Sequence, residues 1–118
     1  MVSMYDSQVP TGSGFWHWVL ADIPAWVTEL PEDAGAPESR VLPSGAFQLG
    51  ADAGARQYVG GAPPAGSGVH EYHLTVTALD AETTGLEHSA GAAFLGFATG
   101  GNTLARVTLV CPTPAPAA

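Results

Sequence analysis

The chain contains no lysine, and Arg40, Arg56 and Arg106 are its only fixed cations, for a net charge of −8. Nucleic-acid backbones are held by clusters of Lys and Arg that release counterions, so this class of partner is excluded. The same imbalance disfavours adsorption to an anionic membrane surface. A pocket for one phosphate stays open to it, because salt screens the long-range field over about 8 Å. Cys111 is the single cysteine, which rules out an intrachain disulfide and a Cys-based metal cluster. No apolar run approaches the ~18 residues of a membrane span, so an integral membrane protein is not expected. Met1 to Asp6 lack the basic and apolar regions of a signal peptide, and the expected location is the cytoplasm.

What is present is apolar. Hydrophobic residues make up 46% of the chain and charged ones 12%, enough for a core and too little charge for disorder. A length of 118 residues holds one domain at most. Glycines and prolines punctuate short apolar runs throughout, the pattern of a mainly-β protein with many turns. Strands are predicted at Val2 to Tyr5, Phe15 to Leu20, Phe47 to Leu49, His70 to Leu79 and Leu104 to Val110, with a further extended piece at Trp26 to Leu30. Alternation in the fourth places His70, Tyr72, Leu74, Val76 and Ala78 on one face. Ser89 to Phe97 is the one predicted helix, with Ser89 as its N-cap and Phe94 and Phe97 sharing a face. Residues 1–111 are read as the domain and 112–118 as a disordered Pro/Ala tail.

Four histidines invite a metal, but His17, His70, His73 and His88 show neither strand i, i+2 nor helical i, i+4 pairing, and no metal site is expected. No Gly-x-Ser-x-Gly elbow precedes a helix, Ser67-Gly68 reads as a turn, and Asp6 with Glu71 is a chance pair of acids. No enzyme is expected. The loop from Gly60 to Gly68 is more informative. Its glycines permit close backbone approach, Pro63-Pro64 stiffens it, and its amides could form a nest for an anion. It delivers the chain to His70, whose imidazole can donate to a phosphate oxygen. In Trp16-His17-Trp18, alternation sets both tryptophans on one face and His17 on the other. His17 is then either a satisfied core histidine or a pocket residue, and local reasoning leaves both open.

Two runs carry a resemblance. Tyr5-Asp6-Ser7-Gln8-Val9-Pro10-Thr11-Gly12-Ser13-Gly14-Phe15-Trp16-His17-Trp18 is similar to an Asp-Pro-Asp-x-Pro signature followed by a Trp/His strand. Tyr58-Val59-Gly60-Gly61-Ala62-Pro63-Pro64-Ala65-Gly66-Ser67-Gly68-Val69-His70-Glu71-Tyr72 is similar to Tyr-x-Gly-x-x-Pro-Pro-x-Gly-x-x-His-x-Tyr. Together they resemble the phosphatidylethanolamine-binding protein family, and within it the bacterial kinase-inhibitor-like branch.

The resemblance implies a β-sandwich around a central antiparallel sheet, one or two short helices and no cofactor. It implies a small pocket for phosphate or a phosphoethanolamine headgroup, in a binding protein whose protein partners would be a kinase or a protease. Carried onto this chain, the ligand-binding residues are Asp6, Pro10, His17, Gly60, Pro63, Pro64 and His70. An interaction or inhibitor module with a vestigial pocket is the alternative. Gln8 stands in place of the signature's second Asp, which removes a charge and adds a donor. Asn102 lies where relatives carry a His-containing segment. Relatives also have strand material before the Asp signature, so this sheet is expected to expose an edge and either to be poorly stable alone or to pair through it as a homodimer.

Overall fold

The computed structural model describes residues 1–118. Five strands form one antiparallel sheet: β1 (Val2–Asp6), β2 (Phe15–Ala21), β3 (Phe47–Gln48), β4 (Val69–Leu79) and β5 (Thr103–Pro114). Their order across the sheet is β3-β2-β1-β4-β5. The mainly-β class and the central antiparallel sheet are as expected, and this chain contributes one sheet. β1 is central, with Val2, Met4 and Asp6 buried in strict alternation.

Both faces of the sheet carry a core. On one, Val2, Met4, Trp18, Leu20 and Tyr72 pack together under the loop residues Ile23, Leu30, Leu42 and Ala46. On the other, Val19, Ala21, Phe47 and Leu49 meet Ala92 and Leu95 of helix α1 (Ala92–Thr99). Each fully buried Leu or Val contributes roughly 1.5–3 kcal/mol.

The register of β1 against β2 runs Met4 to Trp18, then Tyr5 to Trp16, so β2 carries one extra residue at His17. This β-bulge overturns the expected alternation. Trp18 packs with Met4 and Tyr72, while Trp16 packs with the opposite core and lies 4.5 Å from Tyr5 ring to ring. The inserted residue is accommodated because a loop satisfies its flank: Asp52 Oδ2 accepts from the Trp16 amide at 2.8 Å, and the Asp52 amide donates to the Trp16 carbonyl at 2.9 Å.

Other expectations are corrected. Residues 26–30 form a turn and irregular chain, opened by the Val27 amide donating to the Pro24 carbonyl. Helix α1 begins after Gly91 without a side-chain cap, and its buried stripe is Ala92, Leu95 and Thr99. Phe94 and Phe97 stack on each other at 6.3 Å on the outer side, because the smaller residues are those that fit against the sheet. β4 keeps its predicted alternation through Tyr72; beyond Leu74 the burial passes to Thr77, and Val76 is exposed.

The chain end is ordered further than the composition implied. β5 pairs with β4 through Pro114, the Ala115 amide donates to the Gly68 carbonyl, and the Gly66 amide donates to the Pro116 carbonyl. Proline tolerates this position because β5 is an edge strand.

Candidate functional site

Asp6 closes β1, where it faces Phe15 of β2 on one side and Tyr72 of β4 on the other. His70, two residues before Tyr72, therefore shares that face. The bulge turns the His17 ring to the same side, 4.9 Å from Phe15 and 5.2 Å from Tyr72. Bulges recur beside functional sites because they re-aim one side chain without breaking the strand. The result is a cavity of about 170 Å³ lined by Asp6, Val9, Phe15, His17, Ala62, Pro63, Pro64, His70 and Tyr72. That volume suits one small polar group and falls well below the roughly 300–1,000 Å³ of drug-sized sites.

Asp6 and His70 are both 1% exposed, and His70 Nδ1 lies 2.6 Å from Asp6 Oδ2. The other carboxylate oxygen accepts from the Gln8 amide at 2.8 Å, a local turn that holds Asp6 at the strand end. On the far side of the ring, Ser67 Oγ sits 2.8 Å from His70 Nε2. The Ser67 hydroxyl also lies 2.6 Å from the Pro64 carbonyl, which can only accept, so the serine spends its proton there. His70 Nε2–H is then the donor to Ser67. Wherever the proton between His70 and Asp6 resides, the pair as a whole is neutral.

His17 is held differently. Its Nδ1 lies 2.9 Å from the Val59 carbonyl, which fixes Nδ1–H as the donor, and the Val59 amide donates back to the His17 carbonyl at 2.9 Å. Nε2 is buried and has no hydrogen-bond partner. It is the lone unpaired buried side-chain nitrogen or oxygen in the structure. Burial, with smaller contributions from Asp6 and Tyr58, pushes the Tyr72 phenol above its ordinary value. Gly61 lies against this ring: a Cβ there would come within 2.6 Å of Tyr72 Cζ.

The structure therefore brings together Asp6, His17, Pro63, Pro64 and His70 of the seven residues carried over by resemblance. Pro10 lies in an exposed turn outside the cavity, and its neighbour Val9 takes the wall position. Gly60 is likewise outside, and Gly61 is the glycine that the close approach requires. Phe15, Ala62, Tyr72 and Ser67 were not singled out; a serine three residues before a pocket histidine was the available signal for the last.

Gln8 is exposed and touches the site through its backbone alone, and Asn102 donates to Asp80 away from the cavity. No three His, Cys, Asp or Glu side chains gather as a metal-ligand set. A second hollow of about 330 Å³, along Asp33, Gly35, Ala36, Pro37 and Tyr58, is larger but contains no histidine and none of the residues carried over by resemblance.

A sequence profile of the phosphatidylethanolamine-binding protein family matches residues 1–112. The chain belongs to this family. It is 40% identical over 104 residues to the UPF0098 protein YbcL of Escherichia coli, covering 88% of this chain and 57% of that one. It is 41% identical over 97 residues to YbhB of the same organism, covering 82% of this chain and 60% of the relative. The crystal structure of E. coli YbcL, described as a new member of the mammalian PEBP family, superposes with a TM-score of 0.89 at 38% identity. The superposition covers 94% of this chain and 68% of YbcL. This family member thus spans a little under two thirds of the curated YbcL and YbhB chains, and the bacterial branch expected from the two signatures is the one it matches. No helix is long and apolar enough to cross a membrane.

Proposed function

We propose that the chain is a non-enzymatic binding protein whose cavity takes a small oxyanion, either free phosphate or the phosphate of a phosphoethanolamine headgroup. The observation that carries this reading is the convergence of His17 and His70 on one cavity of about 170 Å³, with one ring nitrogen buried and unpaired. An unpaired buried nitrogen costs about 1–3 kcal/mol, which a ligand hydroxyl donating to it, or an oxyanion once the ring carries a second proton, would recover. Asp6 orients His70, while Phe15, Tyr72 and the 62–64 segment supply the apolar walls.

Catalysis is disfavoured by proton placement. Asp6, His70 and Ser67 lie in the order of an acid–base–nucleophile relay, but the Ser67 hydroxyl proton is directed to the Pro64 carbonyl instead of the imidazole. A single exposed thiol, Cys111, suits a reducing compartment, and we assign the cytoplasm. Titration with inorganic phosphate, followed by NMR of the imidazoles, is expected to shift His17 and His70 together. If neither responds at millimolar phosphate, the binding reading fails.

A second reading, an interaction module directed at a kinase or protease, is favoured by exposed apolar surface. Val76, Val107 and Leu109 on the sheet and Phe94 and Phe97 on α1 are all more than half exposed. Capture of such a partner that survives His17→Ala with His70→Ala would favour this reading over the first.

A further inference from the structure

Resting on the oxyanion-binding reading, we infer that the site takes up one proton with each anion, and that His17 Nε2 is the atom that receives it. The argument is one of charge and donors. The Asp6–His70 pair is neutral as a unit, and no Arg lines the cavity. His70 already spends Nε2 on Ser67 and Nδ1 on Asp6. His17 spends Nδ1–H on the Val59 carbonyl, which leaves a bare lone pair at Nε2 while the ring is neutral.

A lone pair facing an oxyanion is repulsive. An anion brought against this buried, uncharged group also lacks the opposite charge that offsets its desolvation. One proton from solvent resolves both problems. Nε2 becomes a donor to the anion, the ring becomes a cation, and the existing bond to Val59 remains because Nδ1–H donates in both states.

The titratable groups around His17 are Asp6 from β1, His70 and Tyr72 from β4, and Tyr58 beside Val59 in the preceding loop. Asp6 is compensated by His70, and burial holds the Tyr72 phenol in its protonated form, so His17 is the group left to gain charge. Its Nε2 is sealed from solvent. The cavity itself opens to the surface, so an anion reaches Nε2 by a shift of the Phe15 ring or the Ala62–Pro64 wall, the sides that rest on exposed or half-exposed segments.

The probe is dimethyl phosphate, whose single charge does not change across the neutral range. Calorimetry at pH 8 in two buffers of different ionisation enthalpy is expected to report close to one proton taken up per anion. Affinity is expected to fall with rising pH, by close to tenfold per unit wherever the calorimetric count is close to one proton. His17→Gln, which cannot be protonated, is expected to bind more weakly with no pH slope. The proton count on the unmodified chain stands if that variant fails to fold.

Binding without proton uptake overturns this inference and leaves the oxyanion site intact. Absence of binding at every pH between 5 and 8, for dimethyl phosphate and inorganic phosphate alike, overturns the site itself. Parallel titrations with glycerophosphoethanolamine and inorganic phosphate identify the source: tighter binding of the former assigns a lipid headgroup, and of the latter a free phosphate. Proton uptake is expected with both.

Discussion

His17 and Val59 bind each other at two points, ring N–H to carbonyl and amide N–H to carbonyl, both at 2.9 Å. The histidine side chain thereby stands in for a strand at the edge of the bulge. It also clamps the start of the Gly-rich loop to β2, so the first signature positions the second. Four predictions follow from the geometry around this clamp and its neighbours.

The Asp6–His70 pair is buried at both ends, so removing one member leaves the other desolvated without its partner. Asp6→Ala is expected to cost about 3–5 kcal/mol in denaturant unfolding. Glu71 and His73 provide the contrast, since they meet at 3.8 Å in a half-exposed setting. Glu71→Gln should change stability by about 0–1 kcal/mol. Similar losses from both variants would show that burial of the first pair is not what matters.

Two glycines should respond in opposite directions to alanine. At Gly61 the new methyl would press on the Tyr72 ring at 2.6 Å, displacing the cavity wall and weakening phosphate binding. At Gly96, inside α1, it meets nothing within 4 Å and should stabilise by up to ~1 kcal/mol through helix propensity. Thermal melts and phosphate titrations of the two variants check this directly.

Tyr72 sets an alkaline limit. Its phenol is held above the ordinary value of 10.0 chiefly by burial, so the folded state keeps a proton that the unfolded chain releases. Stability from this group is intact below pH 10 and declines as the pH climbs through the folded value. Urea midpoints measured from pH 9 to 11 should fall more steeply for the parent chain than for Tyr72→Phe.

The β5 edge should associate. Leu109 and Val107 lie opposite Leu74 and Val76, which in turn lie opposite Met4 and Val2, so an exposed apolar strip continues a buried core. Long apolar edges template pairing with further chains. Sedimentation of the parent chain is expected to depend on concentration, and Val107→Lys with Leu109→Lys should abolish that dependence. A parent chain that stays monomeric at its highest soluble concentration contradicts it.

Much of the fold was legible in the residues. Alternating apolar runs between Gly and Pro located the five strands, and β4 was placed within one residue of its observed start. The ends failed where tertiary partners intervene. β5 outran its alternating segment because β4 offers backbone partners up to Val69, and two prolines are tolerated on a free edge. The helix was placed too early because Ser89 resembles a cap, whereas Ala92 and Leu95 fill the space beside Phe47.

The site was legible in part. Asp6, His17, Pro63, Pro64 and His70 were legible through the family resemblance of the two signatures, whereas Tyr72 and Phe15 carried no assigned role. Ser67 read as a turn residue. The convergence of His17 with His70 was hidden for a specific reason: a period of two assigns faces only while the strand keeps step with its neighbour, and β2 slips by one at His17.

That slip makes the strand sensitive to length more than to identity. Counted from Asp6, the residues before the bulge follow one odd–even parity and those after it the other. Deleting one residue between Phe15 and Trp18 would merge the two parities. The strand would still pair, still bury its aromatics and still look like a sound β-strand, yet it would bring no imidazole to the cavity, leaving His70 there alone. The count of residues between Asp6 and Trp18 is thus as much a condition of a working pocket as the histidine it turns inward.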